Sequence, residues 1–113
     1  KNLFYMFYSV DEHICVSTST SPEGPVIQRE KKPIVADEKG IDTSFFIDDD
    51  GTPYLYYVRF TGGNVSWVAE MNDDLTSIKK ETLTKCISAT EPWEKKQGTI
   101  AEGPSLLKKG DTY

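Results

Sequence analysis

Histidine and cysteine are scarce in this chain: one histidine, His13, and two cysteines, Cys15 and Cys86, among 113 residues. No CxxC spacing occurs, and one histidine is too few for the usual zinc sets, so the pattern offers no metal site and implies no cofactor. Both thiols are read as buried or semi-buried small hydrophobes. Whether they pair stays open, because spacing does not report their distance in the fold. Long apolar runs are missing too. The longest is a few residues, far below the roughly 20 that a spanning helix needs, which argues against membrane insertion. Positive charge is neither abundant nor clustered. The 13 lysines and arginines are scattered, apart from Lys31-Lys32, Lys79-Lys80 and Lys95-Lys96, and the net charge is −5, unlike a nucleic-acid footprint. No signal-peptide pattern opens the chain. Lys1 to Tyr5 reads as the middle of a strand, and Gly110-Asp111-Thr112-Tyr113 as a turn entering another, so the chain is expected to be a fragment.

What is present is a succession of short apolar runs. With 37% hydrophobic and 27% charged residues, the composition is that of a folded domain rather than a disordered one. Leu3 to Tyr8, Ile14 to Val16, Phe45 to Ile47, Tyr54 to Val58 and Val65 to Ala69 are aromatic or β-branched and too short for helices. Only Asp74 to Lys85 could support a short helix, and its threonines argue against one. Asp48-Asp49-Asp50-Gly51 places an Asp-Gly hairpin signal between two of the strands. A calcium loop is not expected there, since a strand starts at once after the glycine. Tyr5-Met6-Phe7-Tyr8 and Tyr54-Leu55-Tyr56-Tyr57 do not alternate, which predicts sheets covered on both faces.

These two runs are versions of one another. Each leads into a second strand and a polar hairpin, and Tyr113 falls where a third copy would begin. An all-strand repeat of roughly 50 residues predicts a propeller blade in preference to a β-sandwich, which seldom repeats internally. An acid opens each of two successive blades, Asp42 in Ile41-Asp42-Thr43-Ser44-Phe45 and Glu102 in Ala101-Glu102-Gly103-Pro104-Ser105. The first strand of a blade lines the central axis, so acids at equivalent positions converge on one opening. Convergent carboxylates suit glycosidic hydrolysis, where one donates a proton and another stays ionised. By position alone, Asp42 could equally cap a turn and Glu102 could be a solvated rim residue.

The run from Ile41 to Tyr56 closely resembles the central blade of family 43 glycoside hydrolases, in which an aspartate leads into a strand, an Asp-Gly turn and Tyr-Leu. Ala101-Glu102-Gly103-Pro104 resembles that family's Glu-Gly-Pro acid motif. Ser21-Pro22-Glu23-Gly24-Pro25 resembles a hairpin of the preceding blade, which makes Glu23 a surface turn residue despite repeating the acid motif. The resemblance implies an all-β fold comprising about two blades of a five-bladed β-propeller: residues 1–40 part of one blade, 41–99 a complete blade and 100–113 the start of the next. It further implies that Glu102 is the general acid, and that Asp42 tunes the acid's pKa and orients the sugar. Thr43 stands where the family usually has proline. The catalytic base would be an aspartate of the first blade, outside this chain, so the fragment alone is expected to be inactive and to need the remaining blades as partners.

The implied activity is inverting hydrolysis of O-glycosidic bonds in arabinose- or xylose-containing carbohydrate, in a secreted or periplasmic enzyme. The alternative is a non-catalytic carbohydrate-binding propeller. A fructoside-cleaving propeller hydrolase ranks below both, because its acid motif differs. Phe45 and Trp93 are candidate substrate-binding aromatics, whereas Trp67, inside a strand, is expected to pack between blades.

Overall fold

The computed structural model describes residues 2–113 and contains six strands: β1 (Phe4–Val10), β2 (His13–Ser19), β3 (Gly40–Ile47), β4 (Pro53–Phe60), β5 (Asn64–Glu70) and β6 (Thr84–Ile87). β1 and β2 form an antiparallel hairpin, extended by a bridge from Thr18 to Ile27. β3 to β6 form an antiparallel meander in sequence order, as a propeller blade requires. Turn chemistry sets these registers. Asp11 and Glu12 both take left-handed backbone (φ 48° and 57°), the conformation that a two-residue hairpin imposes. Gly51 (φ 87°) closes the β3–β4 turn, its N–H donating to the Asp48 carbonyl at 2.9 Å.

The core lies between the two sheets. Ile14, Ile34 and Val35 pack against Leu55, Tyr57, Ala69, Met71 and Ile78, and the Phe7 and Phe45 rings stack 5.0 Å apart. The loop joining the sheets is locked by Glu38. It accepts hydrogen bonds from Tyr57 Oη (2.7 Å), Arg59 Nε (2.9 Å) and Arg59 Nη2 (2.7 Å), a two-pronged guanidinium contact stronger than a single neutral bond. Burial, reinforced by this carboxylate, pushes the Tyr57 phenol well above its ordinary value.

Several expectations need correction. Coverage on both faces holds for β4, where the adjacent residues Tyr57 and Val58 are both 0% exposed. It fails for β1, where Phe4 and Met6 are 46% and 43% exposed, because among the described residues only the β3 side packs against that strand. Cys15 is buried as expected, but Cys86 is exposed on β6, the last strand of its sheet, and the two thiols are free. Asp42 lies inside β3 rather than ahead of it. After Glu102 the chain forms no assigned strand, and Leu107 is 81% exposed. The stretch from Asp74 to Lys85 holds one 3-10 turn, Lys80–Thr82, between a hairpin arm and β6.

Candidate active site

Asp42 owes its position to an irregularity in β3. The register against β4 slips between Ile41 and Ser44, and Asp42 takes a left-handed backbone (φ 53°). A bulge of this kind re-aims a side chain that regular alternation would send elsewhere. Aspartate tolerates the conformation better than a β-branched or bulky residue would. The side chain is exposed.

Glu102 is delivered by a strap running from Thr99 to Gly103, fastened to the start of β5. Asn64 N–H donates to the Thr99 carbonyl and Ala101 N–H to the Asn64 carbonyl, each at 2.9 Å. Ser66 Oγ donates to the Ala101 carbonyl at 3.0 Å. So close an approach requires Gly63 (φ 111°), where a Cβ would stand 2.3 Å from the Thr99 carbonyl oxygen. Two further bonds then fix the acids. The Asn64 side-chain amide donates to Glu102 Oε2 at 2.6 Å, and Gly103 N–H donates to Asp42 Oδ2 at 3.1 Å. Carboxylates 60 positions apart in sequence thus belong to one hydrogen-bonded assembly, both open to solvent.

Beside Glu102 lies a cleft of about 280 Å³ whose lining includes Tyr56, Ser66, Cys86, Ile87, Pro104 and Leu106. Its walls are mainly apolar. Burial raises the Tyr56 phenol, with the nearby Cys86 adding to the effect, and partial desolvation pushes the otherwise exposed Cys86 thiol up. The far end of the strap's continuation is anchored by Lys108, which pairs with Asp48 and lies 2.9 Å from Asp49. Tyr113 Oη also donates to Asp48, and its ring meets Phe46 edge-on with centroids 6.1 Å apart. Hydrogen bonds from Lys108 and then Tyr113 lower the Asp48 carboxyl to about 2.

The structure ties Asp42 to the segment that bears Glu102 and keeps the other named residues apart from that link. Phe45 packs on Phe7 against the core. Trp93 is 69% exposed in a turn, and neither aromatic lines the cleft beside Glu102. Trp67 is half-buried, with the Arg59 guanidinium 4.4 Å above its ring and its Nε1 donating to Thr61 Oγ1. Glu23 sits exposed in its turn, its N–H donating to Ser21 Oγ at 3.3 Å. Sequence reasoning missed Asn64, Ser66 and Gly63, which hold the strap. The one signal available was Gly62-Gly63 ahead of a polar strand start. Among the described residues, no group of three or more His, Cys, Asp or Glu side chains is arranged to hold a metal ion.

Residues 1–113 match the sequence model of glycosyl hydrolases family 43. An endo-1,4-β-xylanase of Bacteroides thetaiotaomicron, known from its crystal structure, is 68% identical and superposes with a TM-score of 0.92 over 96% of this chain and 37% of that one. A thermostable family-43 glycoside hydrolase of known structure is 33% identical, with a TM-score of 0.67 over 82% of this chain and 34% of its own. A β-D-galactofuranosidase of Aspergillus niger is 29% identical over 97% of this chain and 31% of its length. The chain therefore spans about a third of the length of these relatives. Matched along its whole length, with sheets that superpose on solved relatives, this all-β chain forms part of a β-propeller and belongs to glycosyl hydrolases family 43.

Proposed function

We propose that this chain supplies two carboxylates to a glycosidase that cleaves arabinose- or xylose-containing carbohydrate with inversion. Glu102 is the general acid. Asp42, tied to the segment that bears the acid, orients the sugar and modulates the acid. The catalytic base is an aspartate contributed by another blade. It takes a proton from the water that attacks the anomeric carbon on the face opposite Glu102, at a separation of roughly 6.5–9.5 Å from the acid. Residues 41–99 act as one blade and 100–113 as the start of the next, with the site at their junction. A secreted or periplasmic location accompanies this reading, because polysaccharide does not cross membranes unaided.

One observation carries the proposal: the Gly103 N–H bond to Asp42, which ties the segment bearing one acid to the bulge bearing the other. A substrate built on xylose is favoured by the xylanase name of the relative with 68% identity. The test is Glu102→Gln in the full-length enzyme. General acid catalysis contributes about 10²–10⁴-fold, so turnover of an unactivated xylo- or arabino-oligosaccharide should fall by about that factor. Aryl glycosides with a good leaving group need little protonation and should be far less affected. Retained turnover on the unactivated substrate overturns the assignment.

A further inference from the structure

We propose that Asn64 is a positioning residue for Glu102, its side-chain amide occupying Oε2 and leaving Oε1 as the atom that delivers the proton. The inference rests on Glu102 being the general acid, and it adds which oxygen acts and what selects it. A carboxylic acid carries its proton on one oxygen, and its carbonyl oxygen is the better hydrogen-bond acceptor of the two. With Asn64 Nδ2 donating to Oε2 at 2.6 Å, Oε2 is favoured as the carbonyl oxygen and Oε1 as the one that carries the proton. The amide is itself well held. The backbone of Asn64 binds Thr99 on one side and Ala101 on the other, both at 2.9 Å, so the strap and the donor move as one piece.

The chemical type of the donor matters as much as its place. A lysine or arginine here would hold Glu102 ionised and unable to act as an acid, whereas a neutral amide tolerates the protonated form. In the bond-breaking step the proton on Oε1 passes to the glycosidic oxygen. The bond from that oxygen to the anomeric carbon breaks with both electrons remaining on oxygen, and Glu102 is left as a carboxylate. The Asn64 bond then becomes charge-assisted and stronger. It gains strength as the negative charge develops, so it favours the transition state over the ground state.

The experiment compares Asn64→Ala and Asn64→Leu with Glu102→Gln in the full-length enzyme. Asn64→Leu keeps roughly the side chain's shape and removes the donor without adding charge, which separates hydrogen bonding from packing. For each, kcat and KM are measured on an unactivated oligosaccharide and on aryl glycosides of graded leaving-group acidity. Both Asn64 variants are expected to lose about 10- to 100-fold in kcat on the unactivated substrate, the range for a hydrogen bond to a charged group. KM should barely change, and the best aryl leaving groups should lose no more than about threefold. Equal losses on both substrate classes, or no loss, overturn the inference. If Glu102→Gln shows no leaving-group selectivity, the general-acid assignment falls and the inference with it. If Glu102→Gln is selective and the Asn64 variants are not, only the role of Asn64 falls.

Discussion

Asp48 illustrates how a single side chain joins two parts of the molecule. Its neighbours in the acid-rich run suggest a solvated turn, yet its carboxylate is claimed by Lys108 and Tyr113, 60 and 65 positions along the chain. Those partners hold its pKa at about 2, below the ordinary 3.8. A depressed carboxylate contributes stability that is complete above the unfolded value and is lost as pH falls through the folded one. The denaturation midpoint should therefore drop between about pH 4 and pH 2 in part through this group. The advantage of the parent protein over Asp48→Asn should shrink across that window and vanish below it. A difference that persists unchanged at the acid end would show that Asp48 acts through packing rather than charge. Asp42 shows a second lesson at this scale: its identity was readable in the motif, but its left-handed backbone was not.

Among the elements, the β4–β5 turn has more influence on the site than its composition suggests. Gly62 and Gly63 both take positive φ, but they differ in what surrounds them. A Cβ on Gly62 would meet nothing within 4 Å, whereas one on Gly63 would collide with the Thr99 carbonyl. Gly62→Ala should cost stability through backbone strain alone, about 1–3 kcal/mol. Gly63→Ala should cost at least as much and also displace the strap. Its kcat on unactivated substrate should fall while that of Gly62→Ala does not, a contrast that steady-state kinetics alongside thermal melts can read. Five of the six strands were legible from their apolar runs, because strand formation depends on local composition; β6, Thr84–Ile87, lacks such a run and was not. The bulge at Asp42 was not, because it arises from how β3 pairs with β4 and leaves no local signature.

Seen whole, the molecule is more open than its length suggests. The radius of gyration is 14.9 Å, against about 13 Å for a compact domain of this size. Phe4, Tyr5, Met6, Val10 and Leu107 lie exposed at its margins, and apolar surface of that kind promotes association. A polypeptide of these 113 residues alone is expected to bind a hydrophobic dye and to self-associate in sedimentation experiments. A monodisperse monomer that binds no dye would show that the exposed margins tolerate water. The propeller itself was legible because repetition survives in one dimension: Tyr5-Met6-Phe7-Tyr8 and Tyr54-Leu55-Tyr56-Tyr57 occupy equivalent strands, β1 and β4. Their burial was not legible equally, because coverage depends on what packs alongside and not on the strand.

The sequence by itself determined the all-β character, the blade repeat and the Asp-Gly turn, carried by residue type and short spacing, while the two acids of the proposed site were singled out by the resemblance of their motifs to family 43. Tertiary structure alone decided that Gly103 reaches Asp42, that Asn64 grips Glu102, and that Phe45 packs on Phe7. Each of those contacts joins segments 38 or more residues apart. Distance of that kind is set by how sheets stack and where a strand bulges, and no local periodicity encodes it.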